Sequence, residues 1–105
     1  MQYEVRLSHL AEKQYNNILS YLLLHLRNSQ AVAQVIDDFD STIKRLEENA
    51  GAFGYCCSDR LRKLGFHKVH FSTHRYLMVY RILDEDIVIV EGIYHELQDY
   101  ENAIG

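Results

Sequence analysis

Polar and apolar positions alternate at the start of the chain: Tyr3, Val5 and Leu7 are apolar, while Gln2, Glu4 and Arg6 are polar. A period of two marks a half-buried strand. The period changes after Ser8. Ala11, Tyr15, Ile18, Leu22 and Leu26 recur at spacings of three and four, and Leu19 and Leu23 widen the stripe. This predicts an amphipathic helix over residues 9–27, with the Ser8 hydroxyl capping its first turn. Asn28 and Ser29 interrupt the pattern and can cap a second helix. In it Val32, Ile36, Phe39, Ile43 and Leu46 follow at 4-3-4-3 spacing, while Asp37, Asp38, Asp40, Lys44 and Arg45 fall mostly off that line. The helix stops near Asn49, Ala50 and Gly51, and so short a link between long helices predicts an antiparallel helical hairpin.

Residues 51–59 read as a loop, after which the period returns to two. Strands are expected over residues 64–71, 76–83 and 87–94, with a short link at Ser72, Thr73 and His74 and a hairpin turn at Asp84, Glu85 and Asp86. The last residues, 96–104, read as a short polar helix. The expected fold is α+β: an N-terminal strand, an antiparallel helical hairpin, a three-stranded antiparallel sheet and a short C-terminal helix. With 105 residues the chain has room for one domain, taken to span residues 1–105.

If Leu83 faces Ile87 across the turn, the last two strands divide into two faces. One carries Leu77, Val79, Arg81, Leu83, Ile87, Ile89, Glu91, Ile93 and His95. The other carries Tyr76, Met78, Tyr80, Ile82, Val88, Val90, Gly92 and Tyr94, has no charge, and is expected to pack on the helices. Arg81 and Glu91 are diagonal neighbours in this register and read either as a structural ion pair or, with His95, as an anion site.

Charge sharpens this picture. Between Arg60 and Leu83 lie six basic residues (Arg60, Arg62, Lys63, Lys68, Arg75, Arg81) and no acid, so the rest of the chain, with five basic and fifteen acidic residues, carries −10 of the net −4. Such a segment either attracts a polyanion or pairs with the acidic tail of its own fold. His67 and His70 point to opposite strand faces, which does not suit shared metal ligation, and no metal or cofactor is expected. No nucleotide-binding loop, zinc-protease motif or serine-nucleophile elbow occurs. The adjacent Cys56 and Cys57 read as filler in a reducing compartment rather than as a disulfide. The apolar run at residues 21–24, like every other in the chain, is far too short to span a bilayer, so a cytoplasmic location without membrane contact is expected.

Nearly the whole chain resembles the RelE/ParE superfamily of bacterial toxins from type II toxin–antitoxin modules. The resemblance rests on several segments in their order: the strand from Tyr3 to Ser8, the helix from Ala11 to Ile18 with Tyr21 and Leu22, and Leu61-Arg-Lys-Leu-Gly-Phe66. It continues through the strand from Tyr76 to Ile82, the acidic turn at 84–86, and Ile93-Tyr-His-Glu-Leu-Gln-Asp-Tyr100. It implies a compact toxin neutralised by a cognate antitoxin, which would be a short protein laid over the basic sheet. RelE-like members cut mRNA on the ribosome without metal, by attack of a ribose 2′-OH on the adjacent phosphate; ParE-like members inhibit DNA gyrase by binding. Tyr94-His95 resembles the terminal Tyr-His of the YoeB-like branch, where the histidine is catalytic. Leu77 stands where the RelE and YoeB branches have a catalytic arginine, and Gln98-Asp99-Tyr100 looks more like ParE. The expectation is an mRNA endonuclease with His95 as general acid/base, Arg81 and Arg75 as phosphate clamps and Glu91 as orienter. Arg62, Lys63, Lys68 and Tyr94 would hold the RNA. The alternatives are a gyrase inhibitor without chemistry of its own and a scaffold that only binds its antitoxin.

Overall fold

The computed structural model describes residues 2–56 and 58–104. Strand β1 (Glu4–Leu7) leads at Ser8 into helix α1 (His9–Ser20), and the Ser8 hydroxyl accepts from Ala11 N at 3.0 Å as the N-cap. The helix runs on as a π-helical turn, Tyr21–His25, closed by Leu26 N donating to Tyr21 O at 3.3 Å. Arg27 then adopts a left-handed φ of 49°, and Asn28 restarts the chain by accepting from Ala31 N at the head of α2 (Ser29–Asn49). The predicted hairpin is therefore present, with Tyr15 stacked on Phe39 at 4.0 Å between its arms.

The buried line of α2 is turned relative to the predicted one. Val35, Asp38, Thr42 and Leu46 are buried, Phe39 and Ile43 are half-buried, and Ile36 faces outward. Two polar residues in this line are tolerable because both are bonded: Thr42 donates to Asp38 O at 2.7 Å, and Asp38 is filled by a loop described below.

A single turn of 3₁₀ helix (Ala50–Ala52) follows, then a five-residue helix α3 (Asp59–Lys63) where a loop and strand start were expected. Gly65, at φ +84°, ends it in a conformation that disfavours a side chain. The predicted strands are observed as β2 (His67–His70), β3 (Tyr76–Leu83) and β4 (Ile87–His95), with Leu83 opposite Ile87 and left-handed Asp84 and Glu85 in the turn. The short C-terminal helix is α4 (Tyr100–Ala103). The sheet has the order β1-β4-β3-β2 and is mixed, because β1 runs parallel to β4 from Glu4↔Ile87 to Leu7↔Val90.

The sheet carries apolar packing on both sides. The hairpin side gathers Ala11, Val35, Leu46, Met78, Tyr80, Val88, Val90 and Ile93. On the outer side, Leu77, Val79 and Tyr94 pack with Cys56, Leu61, Phe66 and Tyr100 from the flanking segment, α3 and α4. Cys56 is buried; Cys57 lies outside the described residues.

One residue breaks the predicted register. Tyr80 pairs with Val90, but Val79 pairs with Gly92, so Glu91 is an extra residue in β4. Such a bulge shifts side-chain parity by one beyond it. Contrary to expectation, Ile93 and His95 turn to the hairpin side, and Gly92 and Tyr94 turn to the outer side. The bulge is built in from three directions. Ser8 Oγ donates to Glu91 O at 2.9 Å and Gln14 Oε1 accepts from Ile93 N at 2.8 Å, satisfying backbone groups that the ladder releases. The Tyr94 ring lies over Gly92, where a Cβ would sit 2.5 Å from Tyr94 Cε2.

Candidate functional site

Arg81 and Glu91 lie on the outer face, Nη2 to Oε2 at 3.2 Å, and the Arg81 guanidinium stands 5.0 Å over the Phe66 ring. With Leu64, Phe66 and Ile104 they line a hollow of about 300 Å³. His95 is on the other side of the sheet. It lines a groove of about 570 Å³ between α1 and the end of β4, with Gln14, Asn17, Ile18, Tyr21, Tyr76, Ile93 and Gln98. Its Nδ1 accepts from Leu97 N at 3.1 Å, which leaves Nε2 as the N–H of a neutral ring, and its edge meets Tyr76 at 5.6 Å. Burial pushes the Tyr76 phenol up, and Tyr21 adds to the shift. The bulge thus separates His95 from Arg81 and Glu91, which the uninterrupted alternation had put together.

The other predicted residues are distributed as follows. Arg75 is exposed near the groove's end and meets Glu96 at 3.8 Å; Glu96 also meets His70 Nδ1 at 3.5 Å. Lys68 hydrogen-bonds the Tyr100 side chain. Tyr94 is buried on the outer face, 5.8 Å from the Tyr100 ring. Arg62 and Lys63 are exposed on α3. Arg60 donates to Glu101 O and Ile104 O, tying down the tail. Of the two readings of the basic segment, pairing within the fold describes Arg60, Lys68, Arg75 and Arg81, which are engaged with the tail, Glu96 or Glu91.

The three histidines of the segment go to different partners. His67 stacks between Tyr55 and Tyr80 and bonds Phe53 O through Nδ1 at 3.0 Å. His70 meets Glu96, and His74 Nδ1 meets Asp38 Oδ2 at 2.7 Å. The Asp38 carboxylate also accepts from Ser72 N (2.9 Å), Thr73 N (3.0 Å), Thr73 Oγ1 (2.9 Å) and His74 N (2.9 Å). Burial pushes this carboxyl up, but the bonds from His74, Thr73 and Ser72 outweigh it and hold the pKa at about 2.

The family model described as the ParE toxin of the type II toxin–antitoxin system parDE matches residues 5–100. The chain belongs to the ParE toxin family. A solved structure titled as the chromosomal ParDE toxin–antitoxin system from P. aeruginosa shares the fold, with a TM-score of 0.72 at 12% identity over 90% of this chain and 96% of that one. No curated protein matches the chain. Membership in the ParE family makes the chain a toxin of a type II pair, with an antitoxin as its partner. Among the described residues no helix is long and apolar enough to cross a membrane.

Four groups that shape these sites carry no signal of it in the sequence pattern. Asp38 falls off the expected apolar line of α2, yet it organises the β2–β3 loop. Gln14 and Gln98 satisfy the free edge of β4, and Tyr21 walls the groove. The glycine at position 92, inside a strand, is the available signal for the bulge beside which Gln14 bonds β4. Nothing in the sequence distinguishes Gln14 from other exposed-looking helix residues.

Proposed function

We propose that this ParE-family toxin acts by binding rather than by cutting, as an inhibitor of DNA gyrase silenced by its antitoxin. The observation that supports this reading is the separation of His95 from Arg81 and Glu91 by the sheet. RNA cleavage through a 2′-OH needs a base, an acid and a cation convergent on one phosphate. Here the cation and its carboxylate are on one face, and the imidazole is on the other. The outer face, moreover, is filled by Tyr94, Tyr100 and the tail that Arg60 holds.

The test is a pair of assays on the folded protein. Purified gyrase should lose supercoiling activity in its presence, and mRNA translated by purified ribosomes should give no new 3′ ends by primer extension. Cleavage within A-site codons with supercoiling intact would reverse the conclusion. Cleavage keeps one observation in its favour: the His95 ring lines the groove beside Tyr76, with Arg75 near the same end of the sheet. That second reading requires His95→Ala to abolish cutting.

A further inference from the structure

Strand β1 accompanies β4 only to Val90, because the chain turns into α1 at Ser8. Beyond that point the edge of β4 away from β3 donates to side chains. Ile93 N reaches Gln14 Oε1 at 2.8 Å and His95 N reaches Gln98 Oε1 at 2.7 Å. A backbone N–H only donates, so each amide presents its oxygen to the strand and turns its Nε2 hydrogens away. Neither Nε2 has a hydrogen-bond partner among the described residues. Each glutamine therefore does what a peptide group does in a ladder, with carbonyl inward and N–H outward. Their anchor points are two residues apart, about 6.8 Å along a strand. An extended chain presents carbonyls along one edge at that same repeat.

Both amides border the 570 Å³ groove, whose apolar walls are Ile18, Ile93, Tyr21 and Tyr76. A second hollow of about 320 Å³ shares Asn17 and Tyr21 with it and continues along the helix to Leu24, which is 68% exposed. No Asp, Glu, Lys or Arg lines either hollow, so the lining suits an uncharged peptide rather than a phosphate chain.

We infer that this groove receives an uncharged, extended segment of the antitoxin, whose backbone carbonyls accept from Gln14 Nε2 and Gln98 Nε2 while an apolar side chain packs on Ile18, Ile93 and Tyr76. The identity of the partner rests on the toxin–antitoxin reading; its address rests on the geometry of the β4 edge.

The test measures the affinity of the full chain for its cognate antitoxin. Gln14→Glu and Gln98→Glu keep the acceptor oxygen for the strand and remove the donor. Each should weaken binding roughly tenfold, and the double variant more. Asn16→Asp, the same added charge at an exposed position of α1, should leave affinity unchanged. In the ¹⁵N-labelled wild type, the side-chain NH₂ signals of Gln14 and Gln98 should shift on adding antitoxin, a readout independent of variant folding. Unshifted signals, or wild-type affinity in a folded double variant, would overturn the assignment alone. An antitoxin that does not bind the wild type would overturn the partner reading and the assignment with it.

Discussion

Replacing Asp38 by Asn isolates the group that ties the β2–β3 loop to α2. The carboxylate side chain is 3% exposed, and its pKa falls from 3.8 to about 2. That is just under two units, so at about 1.4 kcal/mol per unit the fold favours the charged form by about 2 kcal/mol. Asparagine forfeits this and adds a second cost. If its oxygen keeps Ser72 N, its NH₂ faces Thr73 N, Thr73 Oγ1, His74 N and His74 Nδ1, all of which donate in the wild type. The Thr73 hydroxyl can rotate away, but the backbone donors cannot, and a buried unsatisfied donor costs about 1–3 kcal/mol. The expected destabilisation at pH 7 is therefore about 3–5 kcal/mol, a large share of the ~5–15 kcal/mol typical of a domain.

Urea unfolding should show the midpoint falling by roughly 1–3 M with the slope unchanged. The sign of the pH dependence is fixed by the lowered pKa. Asp38's contribution is fully present above the unfolded value of 3.8 and is lost as pH falls through about 2. The gap between wild type and variant should hold steady above about pH 5 and shrink by about 2 kcal/mol between pH 4 and 2. A destabilisation under ~1 kcal/mol, or a gap that does not narrow in acid, would refute the claim that this buried carboxylate is the loop's anchor.

Three further outcomes are expected. Gly92→Ala places a Cβ against the Tyr94 ring and should cost about 1–3 kcal/mol by urea unfolding, and the same substitution should cost less when made in a Tyr94→Ala background. Tyr80→Phe removes the 2.6 Å bond to Ala50 O and should cost ~1–3 kcal/mol; because burial raises the Tyr80 phenol well above 10, stability should fall as pH rises past 10 in wild type and less so in the variant. Arg60→Ala should free the tail, seen as faster amide exchange at Ile104 and earlier proteolysis near residues 100–104, with little change in global stability.

Much of the fold was legible because long elements repeat their signal. The 3- and 4-residue spacing of α1, the period of two in β3 and β4, and the caps at Ser8 and Asn28 each state the same structure locally and globally. What was illegible was short or depended on partners distant in sequence. Helix α3 spans five residues, too few for a period to emerge. Asp38 looks solvent-facing on a helical wheel, and only the folded chain shows that Ser72, Thr73 and His74 turn their N–H groups toward it. In Val88-Ile-Val-Glu-Gly-Ile-Tyr94 apolar residues flank Glu91 on both sides, so hydrophobicity gives either parity nearly equal support.

That ambiguity bears directly on function. A catalytic cluster on a sheet demands that its members share parity, and one inserted residue moves every group beyond it to the opposite face. Here the insertion is held by Ser8, by Gln14 and by the Tyr94 ring over Gly92, so the register cannot slip back without leaving backbone groups unpaired and Ile93 outside the core. The bulge that separates His95 from Arg81 lies just where β1 leaves β4, and beyond it the strand's N–H groups go to Gln14 and Gln98. What the register removes from a nuclease-like constellation, it supplies as a strand edge suited to a peptide.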